Sequence, residues 1–279
     1  YEALGYDEVL RHDGVDAVYL SLPNSLHEAW AMKALAAGKH VICEKPLGLS
    51  ADSVERMIAF ADQRGLLLYE NIMYLHHPQH RMIREMVERG DIGNLRAFRS
   101  SFGFTLTRPG DFRLNGGPGS GTFHDQARYP LSAALYHVRG DLREFSGYAL
   151  FQRGVNVSLH ACGMSTSGES FWCSIGFEQP YECWYELVGE RGMIRLERAY
   201  TTPADLSATI RITSGAETRE VMVPPADHFQ LMIEHVAGLI ERQQGFDREH
   251  AETRRLARAA DLLWSGCRQI EAGTDKCVR

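Results

Sequence analysis

A nearly unbroken apolar run over residues 15–22 passes into Pro23-Asn24-Ser25-Leu26-His27, and a second run, His40-Val41-Ile42-Cys43, passes into Glu44-Lys45-Pro46. Strands buried on both faces, joined by a helix and each ending in a polar turn, build an open parallel α/β sheet. Such sheets hold ligands beyond the carboxyl ends of their strands. Ala29, Met32, Ala34 and residues 35–37 supply the joining helix, which stops at Gly38, a residue suited to the position past a helix end. The pattern lines Asn24, His27, Glu44 and Lys45 along one sheet edge. Pro46 biases Lys45 toward extended backbone. From spacing alone, Lys45 reads equally as a crevice residue or a solvated loop lysine.

Further along, a helix is expected over 50–64, with Ser50 as N-cap and Val54, Met57, Ile58 and Ala61 on its apolar face. A strand at 66–70 closes the first domain, and a helix at about 78–89 starts on Pro78 and ends at Gly90. The texture then changes. β-rich segments recur at 95–104, 144–151, 154–162, 170–177, 181–189, 192–197, 208–213 and 219–223 without intervening helices, which implies a mainly antiparallel sheet. Two amphipathic helices finish the pattern, one with Phe229, Met232, Ile233, Val236 and Ile240, the other with Leu256, Ala260, Leu263, Cys267 and Ile270. The fold class is thus α/β plus α+β. A Rossmann-type parallel sheet occupies 1–72, and a second domain on an open sheet occupies 73–279.

With 279 residues and 44% hydrophobic content the chain can bury a large core. The net charge of −6 argues against nucleic acid, which needs concentrated basic surface. No apolar run suits a membrane span or signal peptide. Cys43, Cys162, Cys173, Cys183, Cys267 and Cys277 lack Cys-x-x-Cys spacing, which disfavours zinc and fits reduced thiols in a cytoplasmic protein.

Three places carry chemistry. Asp125 and Tyr129, four apart on an expected helix, project from one face; they read as a surface or core pair, or as a site in which a nearby cation stabilises a phenolate. His124 beside them reads as a second proton donor or a side chain near the cap. His76, His77 and His80 follow Asn71 and Tyr74 without a zinc-hydrolase pattern, so no metal is expected. Arg113 suits a diphosphate or a structural carboxylate equally. The turn Gly116-Gly117-Pro118-Gly119-Ser120-Gly121 has neither the ending nor the preceding strand of a phosphate loop, and reads as a flexible entry to the Asp125 helix.

The stretches Asp16 to His27 and Ala37 to Pro46 resemble the paired signatures of the Gfo/Idh/MocA oxidoreductases, and Asp125-Gln126-Ala127-Arg128-Tyr129 resembles a third, with alanine where many members have glycine. The resemblance covers essentially the whole chain. With Phe177 to Tyr181 and Tyr200 to Asp205, it is most like nucleotide-sugar 3-ketoreductases. It implies NADP or NAD as cofactor and a keto group on a nucleotide-linked deoxysugar as substrate. It implies catalysis by Lys45, Tyr129 and Asp125, and a cofactor held by Leu22, Pro23, Asn24, His27, Glu44, Lys45, Pro46 and Asn71. Substrate contacts fall to Tyr74, His76, Arg113, His124 and Tyr129. A large apolar sheet face is seldom left wet, so a homo-dimer or homo-tetramer through the open sheet is expected. The family's opening Gly-x-Gly-x-x-Gly turn does not occur in these residues, and roughly 60 residues, about two β-α units, are expected upstream unless the turn is lost. A non-catalytic binder and a cofactor-retaining lyase or hydrolase are the competing expectations.

Overall fold

The computed structural model describes residues 4–108 and 110–272; Cys277 lies outside them. Helix α1 (Tyr6–Arg11) leads into β1 (Ala17–Leu20), α2 (His27–Ala36), β2 (His40–Glu44), α3 (Ala51–Arg64) and β3 (Leu68–Asn71). The strands form a parallel sheet in the order β1-β2-β3, with Val18 opposite Val41 and Ile42 opposite Tyr69. Burial on both faces holds for β2 but not for β1. The first strand is an edge among the described residues, and Tyr19 stays 40% exposed. The Ser50 hydroxyl accepts from the Ser53 amide at the head of α3, and Gly65 closes the helix in the left-handed region. Val54, Met57 and Ile58 of α3 are fully buried, each burial contributing about 1.5–3 kcal/mol before entropic costs.

The second layer begins with α4 (Pro78–Glu88), β4 (Leu95–Gly103), α5 (Gly121–Gln126) and α6 (Arg128–His137). It continues through β5 (Leu142–Gln152), β6 (Val155–Ser165), β7 (Ser170–Gly176), β8 (Glu182–Gly189), β9 (Gly192–Glu197), β10 (Ala208–Ser214) and β11 (Glu217–Val223). Helices α7 (His228–Arg242) and α8 (Phe246–Ser265) and strand β12 (Cys267–Glu271) follow. The nine-stranded sheet runs β11-β10-β9-β8-β4-β7-β6-β5-β12; β4 with β7 and β12 with β5 are parallel, and the other pairs antiparallel.

Two further expectations are corrected. Cys267 and Ile270 lie on β12, because α8 stops at Gly266, where the chain comes so close to Phe145 that a Cβ would stand 2.3 Å from its carbonyl oxygen. Asp125 and Tyr129 lie on consecutive short helices rather than one. Pro130 has no N–H to offer the Gln126 carbonyl, so the helix ladder is interrupted around Ala127.

One face of the large sheet, with Phe98, Phe171, Ile175, Tyr185 and Leu187, packs on Ile83, Leu131, Leu135 and Leu263 from the helices. The opposite face leaves Tyr148 and Trp172 exposed. Met232 and Val236 of α7 return to the first sheet against Ile42, Leu67 and Tyr69. Helix α8 serves both layers: Ala257 belongs to the first core, and Leu256, Ala260 and Leu263 to the second. Its buried His250 accepts from the Leu68 amide through Nε2 at 3.0 Å, with Nδ1 2.6 Å from Asp62.

Candidate active site

Because the first three strands are parallel, their carboxyl ends open on the same edge. Leu22, Pro23 and Asn24 follow β1, Glu44 ends β2 with Lys45 and Pro46 beyond it, and Asn71 ends β3. The glycine turn of the second layer closes on this edge. Asn24 Nδ2 donates to the Gly119 carbonyl at 2.8 Å. Gly119 has φ +80°, and a Cβ there would lie 2.8 Å from the Asn24 Cβ. The turn thus comes into close contact with the first layer at Gly119. It delivers Asp125, and after it Tyr129, to the mouth of the sheet.

Lys45 Nζ donates to the backbone carbonyl of Asp125 at 2.6 Å and to its Oδ1 at 3.0 Å. The same nitrogen stands 5.0 Å from the centre of the Tyr129 ring. The two side chains of the ion pair are only 12% and 10% exposed. Arg113 completes the cluster. Its Nη1 donates to Asp111 Oδ2 at 3.1 Å, and its Nε lies 3.2 Å from Asp125 Oδ1, at ion-pair distance but off the hydrogen-bonding direction.

Burial alone would raise the Asp125 carboxyl, but the charges of Lys45 and Arg113 overcome it and hold the group below the usual carboxylate range. Burial works against the Lys45 charge as well, and Asp125 outweighs it, so Lys45 is held cationic. Tyr129 is raised: burial dominates, Lys45 pulls it back, and Asp125 and Glu44 add to the rise. The ring is half-buried against Phe102 and Tyr200, with centroids at 4.8 and 5.3 Å. Its carbonyl accepts from the Tyr74 hydroxyl at 3.0 Å and the Ser132 hydroxyl at 3.2 Å, and among the described residues no hydrogen bond engages its phenolic oxygen.

Beside this cluster, the Glu44 carboxylate accepts from the Tyr19 hydroxyl and from Asn71 Nδ2, the latter at 2.8 Å. Asn71 is fully buried, and its Oδ1 has no partner among the described residues. Both His27 ring nitrogens are spent on main chain, 2.8 Å from the Pro46 carbonyl and 2.7 Å from that of Leu22. That histidine ties together the turns beyond β1 and β2. An acceptor left unpaired at a strand end, beside a cation and a phenol, fits the carboxamide end of a nicotinamide dinucleotide.

Other expected residues lie elsewhere. Tyr74 sits beneath Tyr129, its hydroxyl 2.7 Å from Ser132 Oγ. His76 is not brought to the Lys45 cluster. Its Nε2 lies 2.7 Å from the Tyr69 hydroxyl, and it lines a separate cavity of about 890 Å³ with Ser132, His137, His235 and Arg248. His124 packs edge-on against Phe123, and burial with the Arg128 charge pushes it down to about 4, so it is neutral near pH 7. Sequence reasoning missed Tyr19, because only the strand register puts its hydroxyl 2.8 Å from Asn71 Nδ2. It also missed the buried pair Glu70 and Arg128, which are 3.0 Å apart.

A parallel sheet with a cation, a phenol and an amide gathered at its strand ends, facing a second layer built on an open sheet, defines a dinucleotide-dependent oxidoreductase. Comparison with known proteins agrees. A family model described as "Oxidoreductase family, NAD-binding Rossmann fold" matches residues 2–72, and one described as "GFO/IDH/MocA C-terminal domain" matches residues 80–195. The chain belongs to the Gfo/Idh/MocA family and is an NAD(P)-dependent oxidoreductase.

It is 36% identical over 269 residues to the dTDP-3,4-didehydro-2,6-dideoxy-alpha-D-glucose 3-reductase of Actinomadura kijaniata, covering 95% of this chain and 81% of that protein. It is 35% identical to the protein of the same name from Saccharopolyspora spinosa, covering 88% and 74%. A solved 3-ketoreductase from Actinomadura kijaniata, in complex with NADP and TDP-benzene, superposes with a TM-score of 0.93 at 34% identity, covering 97% and 84% of the two chains.

Proposed function

We propose that the enzyme uses NADPH to reduce a keto group at carbon 3 of a dTDP-linked deoxysugar, with Tyr129 giving the proton. The observation that carries the reading is the buried cation of Lys45, held by Asp125 and set 5.0 Å from the Tyr129 ring centre. When bound, the dinucleotide supplies the hydride to the carbonyl carbon. Tyr129 donates its proton to the carbonyl oxygen, Lys45 stabilises the phenolate that remains, and Asp125 fixes the ammonium in that position. Leu22, Pro23, Asn24, Glu44, Lys45, Pro46 and Asn71 border the nicotinamide half, and His27 braces them. Arg113 borders the substrate.

Support comes from relatives named as 3-reductases of a dTDP-sugar and from the solved ketoreductase with NADP and TDP-benzene. That ketoreductase was also solved with a tyrosine replaced by phenylalanine and with a lysine replaced by alanine or glutamate. The two replaced residues have the same separation in its chain as Tyr129 and Lys45 have here. The decisive test is Tyr129→Phe. Removing a positioned general acid lowers kcat by about 10²-fold or more, while KM for the sugar nucleotide stays within about threefold. An unchanged kcat removes Tyr129 as donor.

Residues 1–72 form the dinucleotide-binding unit in this reading, and 73–279 the substrate-binding and oligomerisation unit, with α7 and α8 reaching back onto the first sheet. The open sheet face pairs copies of the chain into a dimer or tetramer, because Trp172 and Trp184 stack across it at 6.2 Å and Tyr148 is exposed on the same face. The enzyme works in the cytoplasm, where the five cysteines that are unpaired among the described residues stay reduced. No helix among the described residues is long and apolar enough to cross a membrane.

A further inference from the structure

We propose that the buried ion pair Glu70–Arg128 is the positioning element that sets Tyr129 against Lys45; this rests on the reading of those two residues given above. Glu70 is 3% and Arg128 5% exposed, and Arg128 Nε donates to Glu70 Oε1 at 3.0 Å. The same carboxylate oxygen accepts from the Leu47 amide at 3.0 Å, and Arg128 Nη2 reaches the Gly48 carbonyl at 3.4 Å.

Every one of these contacts falls on a segment that carries a site residue. Glu70 precedes Asn71 on β3. Leu47 and Gly48 follow Lys45 and Pro46. Arg128 opens α6 immediately before Tyr129. The pair therefore clamps three separate stretches of chain at the point where the two layers meet.

The clamp also sits where helical continuity fails. Around Ala127 the ladder is interrupted, so α5 alone does not dictate where α6 begins. Arg128 supplies that constraint from the other layer, and its own carbonyl accepts from the Ser132 hydroxyl at 2.5 Å. A buried ion pair is weak as a stabilising device, since desolvation cancels much of its attraction. Its geometry is what matters here: a guanidinium fork reaches Glu70 and Gly48 together, and a single ammonium does not. A displacement of about 1 Å at a proton donor is enough to cost on the order of 10²-fold in rate.

The test is a mutant cycle on the full chain. Glu70→Gln, Arg128→Met and Arg128→Lys are each made alone and with Tyr129→Phe. Turnover is followed by NADPH consumption with the dTDP-linked keto sugar, NADPH affinity by fluorescence titration, and folding by thermal melt. Glu70→Gln and Arg128→Met are expected to lower kcat about tenfold or more with KM within about threefold, and Arg128→Lys to recover part of the loss. In the Tyr129→Phe background the same changes have no further effect on kcat, because the donor they position is gone.

Losses that add fully to that of Tyr129→Phe overturn the proposal, as does an unchanged kcat in Glu70→Gln and Arg128→Met proteins that melt and bind NADPH normally. A fully active Tyr129→Phe enzyme instead overturns the Tyr129 reading, and the proposal with it.

Discussion

Lys45 carries the site's charge into a nearly closed space, and its partner decides what that charge does. Replacing it with methionine removes the cation while keeping the stem. Asp125 is then left buried with Arg113 alone, and the phenolate left by Tyr129 loses the ammonium beside it. The expected outcome is a kcat lower by about 10²-fold, with Tyr129→Phe in that background adding little. Asp125→Asn is expected to lower kcat by roughly tenfold while leaving NADPH affinity near normal in a fluorescence titration. Lys45, Asp125 and Tyr129 were legible because each stands in a short motif. Two residues the sequence left open are seen in contact: Arg113 stands between the carboxylates of Asp111 and Asp125, and His124 lies against Phe123 as a neutral ring. Tyr19 and Glu70 were not legible. Their partners arrive from other strands and from α6, and no local pattern encodes that register.

Elements were easier to read than the joints between them. All eight expected strands of the second layer form, because alternation along each and glycine, serine or proline between them are local signals. The helical spacing Leu256, Ala260, Leu263, Cys267, Ile270 continues past the true end of α8, and what halts it is distant: the backbone at Phe145 leaves no room for a Cβ on Gly266. Gly266→Ala is expected to cost about 1–3 kcal/mol in denaturant unfolding, by pushing β12 off β5. At Gly119 both a left-handed φ and the Asn24 side chain oppose any larger residue. Gly119→Ala is expected to lower activity as well as stability, since the displaced turn carries the Asp125 helix with it; kcat and melting temperature on the same preparation check this.

At the scale of the whole molecule, acid is the weak flank. Burial, acting first, lowers His76, His77 and His124 to about 4 and His137 to about 3. These rings stay neutral in the fold but bind protons once the chain unfolds below about pH 6.5, so stability is complete above that pH and drains away as it falls toward 4. Melting temperature is expected to drop between pH 7 and 5, and less steeply in a His137→Asn variant. The open sheet face makes a separate prediction: Trp172→Glu is expected to lower the mass measured by light scattering without changing the far-ultraviolet circular dichroism. The two-layer plan was legible from the change of texture near residue 95, whereas the return of the carboxyl-terminal helices was not, because amphipathic spacing does not say which core a helix will join. That return has a practical consequence for anyone dissecting the gene. A break after residue 72 strands His250 and Ala257 on one product and Leu68 and the α3 core on the other, so each half should emerge insoluble alone and regain solubility only when the two are co-expressed.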